Sequence, residues 1–127
     1  MSESAVSRVI KRIGPDHPIT VEPAGHRVTV RLGERIVADT TEALVLREAN
    51  YPPVFYLPRE ALDAALVRPS ATTSWCPYKG QASYLSLATG DVELPDAAWT
   101  YEHPHDDVAQ IAGHVAFYPD KVLVSGE

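Results

Sequence analysis

The chain is predicted to be mainly β, with two antiparallel sheets packed as a sandwich or open barrel and one short helix near residues 58–67. Three observations carry this expectation. Short runs alternate apolar and polar residues, as in Arg27-Val28-Thr29-Val30-Arg31-Leu32. Turn-forming Gly, Pro, Asn and Asp punctuate those runs at close spacing. No strand–helix–strand unit is visible, which leaves antiparallel pairing as the way to join the strands. At 127 residues, 45% of them hydrophobic and 22% charged, the chain suits one domain with its own core.

Residues 1–16 read as an N-terminal arm, with a short helix over Val6, Val9 and Ile10 before Gly14-Pro15 breaks the pattern. Such an arm either frays or packs on a partner chain. Residues 17–127 form a single β-rich domain. Ile19-Thr20-Val21 is a short strand and Pro23-Ala24-Gly25-His26 a turn. Val28, Val30 and Leu32 share one face of the next strand, and Gly33-Glu34 turns it into Arg35–Asp39 as a hairpin. Ala43–Arg47 continues the series, so these four strands are expected to form an antiparallel meander. Glu48 to Pro53 is a loop, followed by the strand Val54–Leu57. Pro58 suits a first helical turn, Glu60 and Asp63 suit its positive end, and Leu62, Ala65 and Leu66 form an apolar stripe. Pro69-Ser70 stops that helix. Gln81–Leu87 is a two-faced strand turned by Thr89-Gly90-Asp91, and Ala97–Tyr101 places Trp99 and Tyr101 on one side. His103–Gln110 is a polar loop or short helix. His114–Tyr118 and Val122–Val124 are expected to form a last hairpin joined at Pro119-Asp120-Lys121.

Composition narrows the function classes. Eleven basic against seventeen acidic residues leave a net charge of -6. That disfavours nucleic acid and anionic membranes as partners, because phosphates need a dense basic face. One cysteine makes no internal disulfide and fits a reducing cytoplasm. No run resembles a signal peptide or approaches the ~20 residues of a membrane span, so a cytoplasmic location is expected.

The chemistry concentrates in Thr73-Ser74-Trp75-Cys76-Pro77-Tyr78-Lys79-Gly80. Cys-Pro-Tyr-Lys fits a β-turn, which holds its first and fourth Cα atoms within roughly 7 Å. At ~6 Å and an effective dielectric near 20, thiolate and ammonium would attract by about 3 kcal/mol before screening. Such an attraction would lower the thiol pKa. The alternative is a cysteine packed beside Trp75 with a solvated lysine. Nucleophilic use of Cys76 also needs a base, and His26, His103, His105 and His114 qualify by type alone.

All ten aromatic residues lie between Tyr51 and Tyr118. They form either an aromatic core or a cavity lined by rings with polar tips. His103-Pro104-His105 with Asp106 and Asp107 lacks the spacing of a structural metal site, and no metal or cofactor is expected. Asp91 and Glu93 resemble paired metal-binding carboxylates, but no glycine-rich phosphate loop accompanies them, and turn solvation is the better reading.

Four blocks, Tyr51–Glu60, Cys76–Tyr84, Ala98–Glu102 and Val115–Tyr118, resemble family 427 of the domains of unknown function, over roughly residues 18 to 125. Its members are small bacterial and fungal β-rich domains, and it also goes under the name of a nucleotidyltransferase. The resemblance implies antiparallel sheets and a shared site around Cys76, Lys79, Tyr84, Trp99 and Tyr101. Many relatives carry an acidic residue where this chain has Ala61.

The leading reading is a small-ligand pocket between the sheets, lined by Tyr56, Cys76, Lys79, Tyr84, Trp99 and Tyr101. It would take a small acidic or planar ligand, with Lys79 meeting the acidic group. The alternatives are a thiol-dependent or nucleotidyltransferase-like enzyme in the same pocket, and a structural or homo-oligomer-forming module with no ligand.

Overall fold

The computed structural model describes residues 9–126; the part of the arm before Val9 lies outside them. Ten strands follow in chain order: β1 (Ile19–Pro23), β2 (Val28–Leu32), β3 (Arg35–Thr40), β4 (Leu44–Glu48), β5 (Val54–Pro58), β6 (Val67–Cys76), β7 (Gly80–Ala88), β8 (Glu93–Thr100), β9 (His114–Phe117) and β10 (Leu123–Gly126). They form two antiparallel sheets, one of seven strands in the order β1-β4-β5-β9-β8-β7-β6 and one of three in the order β10-β2-β3. Neither closes into a barrel.

Period-two alternation sends each strand's residues to opposite faces. On β5, Leu57 packs with Val28, Val30 and Val37 of the small sheet, while Tyr56 joins Leu46, Tyr101 and Ala116 in a separate cluster. The same division places Leu85 and Phe117 with the first cluster and Tyr84 and Ala116 with the second. One face of the large sheet therefore lies on the small sheet. The other gathers Tyr56, Tyr78, Tyr84, Trp99 and Tyr101 and is covered by Val108 and Ile111, from the segment before β9.

Three local expectations need correction, and one strand is added. The first four strands are not a meander: β2 and β3 form the expected hairpin in the small sheet, whereas β1 pairs with β4 in the large one. Alternation gives each strand two faces but does not name its neighbour. The last hairpin is also absent. β9 is already flanked by β5 and β8, so β10 crosses to the free edge of β2. The helix over 58–67 resolves into two single 3-10 turns, Arg59–Ala61 and Ala64–Leu66, separated by extended residues Leu62 and Asp63. Asp63 caps the second turn while its backbone N–H donates to the Val37 carbonyl at 2.7 Å, and this cross-link to β3 interrupts helix propagation. Finally, Val67–Cys76 is a strand despite Pro69. It lies at the sheet edge, where proline is tolerated, and a bulge between Pro69 and Thr73 is held by Ser70 and Thr72 hydroxyls donating to Asp96.

Leu57 is wholly buried between the sheets. Leu57→Ala is expected to cost about 2–5 kcal/mol, from lost transfer energy plus a cavity, measured as a drop in the urea midpoint at unchanged slope. A cost below about 1 kcal/mol would mean that the sheets do not pack through this residue.

Candidate functional site

The Cys76–Lys79 turn forms as the sequence suggests, with the Lys79 N–H donating to the Cys76 carbonyl at 3.2 Å. Gly80 closes it at φ 111°, and a side chain there would meet the His105 ring at 3.4 Å. His105 braces the turn: its N–H donates to the Lys79 carbonyl at 3.0 Å and its ring lies edge-on to Trp75. The histidine loop thus has a structural task here. Among the described residues no group of three or more metal-ligating side chains converges.

The Lys79 ammonium does not serve the thiol. It donates to Glu48 at 2.5 Å, and both side chains are largely buried. Glu48 ends β4, and β1 runs beside it in the register Ile19↔Glu48. That pairing delivers His17 to the second carboxylate oxygen, with Nε2 at 2.8 Å from Oε2. His17 also stacks on Tyr78 of the turn at 3.9 Å and 5°. Burial pushes the Glu48 carboxyl up, but hydrogen bonds from Lys79 and His17 outweigh it and hold the carboxyl below its ordinary value of 4.5.

The arm reinforces this arrangement within its own chain. Trp75 Nε1 donates to the Val9 carbonyl at 2.8 Å, and the Lys11 N–H donates to the Pro77 carbonyl at 2.9 Å. Arg12 makes a two-point contact with Asp107 at 2.6 and 2.8 Å, and the Ile13 N–H adds a third bond. The Arg12 contact, helped by Ile13, holds the Asp107 carboxyl down at about 2. Residues 9–13 therefore lie along the turn as a strap.

Beside the ion pair is a cavity of about 220 Å³. Glu48 and Lys79 supply its charged wall; Tyr56, Tyr84, Tyr101 and Tyr118 supply phenol groups; Trp99, Leu46 and Val54 complete it. Five of the six residues singled out from the sequence, Tyr56, Lys79, Tyr84, Trp99 and Tyr101, thus share one cavity. Cys76 is outside its lining and packs instead against the Tyr56–Tyr101 cluster. The cavity is not between the sheets, as expected, but on the aromatic face of the large sheet, because Tyr56 and Tyr84 alternate with the residues that face the small sheet. Glu48, Tyr118 and the adjoining His17 are the additions that sequence reasoning missed. Asp91 and Glu93 are exposed around the β7–β8 turn and take no part in the cavity.

Tyr56, Tyr101 and Tyr118 are donors at neutral pH. Burial pushes the Tyr56 and Tyr101 hydroxyls far above their ordinary value of 10, and burial together with a hydrogen bond to Tyr84 pushes Tyr118 up to about 12. Tyr56 accepts from Trp99 Nε1 at 3.2 Å, and Tyr84 bonds Ser74 at 2.9 Å. The Tyr101 side chain is different: its residue is 5% exposed, and its hydroxyl meets no partner among the described residues.

Breaking the ion pair from one side leaves a partly buried charge. Glu48→Gln or Lys79→Met should each cost about 2 kcal/mol, between the surface and deep-burial limits, and the double variant should recover at least half of the summed loss. Strict additivity in this double-mutant cycle would show the two groups to be uncoupled. The pH dependence has a definite sign. Because the folded pKa of Glu48 is depressed, its stabilisation is complete above about 4.5 and is lost as pH falls through the folded value. In Glu48→Gln that part of the acid destabilisation should disappear.

No helix among the described residues is long and apolar enough to cross a membrane. No curated protein matches the chain. A family model described as Domain of unknown function (DUF427) matches residues 20–126, which include all ten strands but for Ile19 and every residue lining the tyrosine cavity. The chain belongs to the DUF427 family.

Proposed function

We propose that this domain binds a small, neutral, planar molecule carrying an acceptor oxygen, held in the tyrosine cavity. The observation that carries this reading is the Tyr101 hydroxyl, which meets no partner among the described residues and belongs to a residue on the cavity wall. A donor held in a largely buried residue is available to an acceptor in the cavity, and a ligand carbonyl would take it up. Trp99 and the tyrosine rings offer faces for a planar ring. Of the acidic and planar ligands that the sequence suggests, the planar one is favoured, because Glu48 already neutralises Lys79 and would repel an anion. The acidic chain, with net charge -6, argues against nucleic acid or an anionic membrane as partner. The single unpaired cysteine suits the cytoplasmic location that we assign.

Benzamide is a direct probe, being neutral, planar and a carbonyl acceptor, with benzoate as its anionic counterpart. Millimolar benzamide should shift the Trp99 indole and Tyr84 ring signals in the NMR spectrum, and benzoate should bind at least about tenfold more weakly. Tyr101→Phe should weaken benzamide about fivefold, the equivalent of one neutral hydrogen bond. Absence of benzamide binding, or tighter binding of benzoate, would contradict the proposal.

A further inference from the structure

A second cavity of about 430 Å³ shares two walls with the first: Val54 and Trp99 line both. The groove lies at one end of the β5–β9 pair, whose register covers Leu57↔Val115 and Pro58↔His114, and it takes lining from Val54 and Phe55 of β5 and Phe117 of β9. Val54 belongs to the aromatic face, whereas Phe55 and Phe117 pack with the inter-sheet core, so residues of both faces meet in the lining of this groove. Val124 of the small sheet also lines it, and none of its lining residues is charged.

The two cavities differ in chemistry. The tyrosine chamber presents phenols and an ion pair, while the groove presents aromatic, aliphatic and proline surface. At about 220 Å³ the chamber falls below the ~300–1,000 Å³ usual for ligand sites, whereas the groove falls within that range. A molecule confined to the chamber would leave the larger apolar surface unused. Trp99 sits between them, its Nε1 donating to the Tyr56 hydroxyl and its ring tilted against Tyr118 at 4.5 Å.

We infer that the ligand has two parts: a planar carbonyl head in the tyrosine chamber, and a short apolar tail that passes Trp99 into the groove lined by Val54, Phe55, Phe117 and Val124. This rests on the chamber being a ligand site, and it adds the ligand's class and the direction in which it extends. The head supplies the acceptor for Tyr101, and the tail lies against Phe55, Phe117 and Val124.

The test compares benzamide with 4-ethyl- and 4-butylbenzamide on the unmodified protein, following affinity by NMR titration and location by the methyl signals of Val124. Each added methylene that enters apolar surface should tighten binding about fourfold. The butyl compound should shift the Val124 methyls, which benzamide leaves in place. Benzamide binding with no gain across the series, and with Val124 unmoved, would overturn the two-part ligand while sparing the chamber. Failure of all three compounds to bind would remove both readings. A gain in affinity without movement of Val124 would place the tail elsewhere and would also overturn the inference.

Discussion

The ion pair between Glu48 and Lys79 is the constraint on which the rest of this structure depends. Lys79 lies in the β6–β7 turn and Glu48 ends β4, and β5, β9 and β8 intervene between β7 and β4 in the sheet. Four strand spacings in a flat sheet are about 19 Å, far beyond the reach of a lysine side chain. A 2.5 Å contact therefore requires the sheet to curl until the turn meets β4. The right-handed twist of strands supplies part of that curl without cost. The pair fixes the remainder, by a side-chain bridge rather than by the hydrogen-bond ladder that would close a barrel.

The cavity follows from the curl. Tyr56, Trp99 and Tyr84 stand on different strands of one face, and bending that face inward brings their rings around a shared space. The charges beside it are costly to desolvate, and a well-packed apolar pair could serve stability as well. What the ion pair adds is direction: hydrogen bonds hold Lys79 to one carboxylate oxygen and His17 to the other. The strap of residues 9–13 adds contacts on the outside of the same turn, so backbone, arm and histidine loop all converge on four residues. The thiol at Cys76 is packed into this assembly, and the nearby lysine is committed to Glu48.

Much of this was legible beforehand, and the parts that were not have physical reasons. Strands such as Val28–Leu32 and Gly80–Ala88 announce themselves because period-two alternation is local. The Cys-Pro-Tyr-Lys turn is equally local, as is the restriction of aromatic residues to the second half of the chain. Strand partners are not local: that β1 pairs with β4, or β10 with β2, depends on which edges remain free after the rest has assembled. Val67–Cys76 was hidden because Pro69 reads as a stop unless the strand is known to be an edge. Glu48 and His17 belong to the site only through the curl and the β1–β4 register, so no spacing in the sequence joins them to Lys79. An acidic residue followed by Ala-Asn looks like an ordinary strand end, and here that strand end holds the buried charge.

The most direct examination of this account is nitrogen-15 NMR of the lysine ammonium groups, since the chain has only Lys11, Lys79 and Lys121. The structure predicts one ammonium, Lys79, whose protons exchange with water much more slowly than those of the other two and show through-bond coupling to the Glu48 carboxylate. That signal should persist at neutral pH and collapse in acid as Glu48 is protonated. A Lys79 ammonium that exchanges as fast as the exposed lysines, with no coupling to Glu48, would contradict the claim that this pair holds the curled sheet.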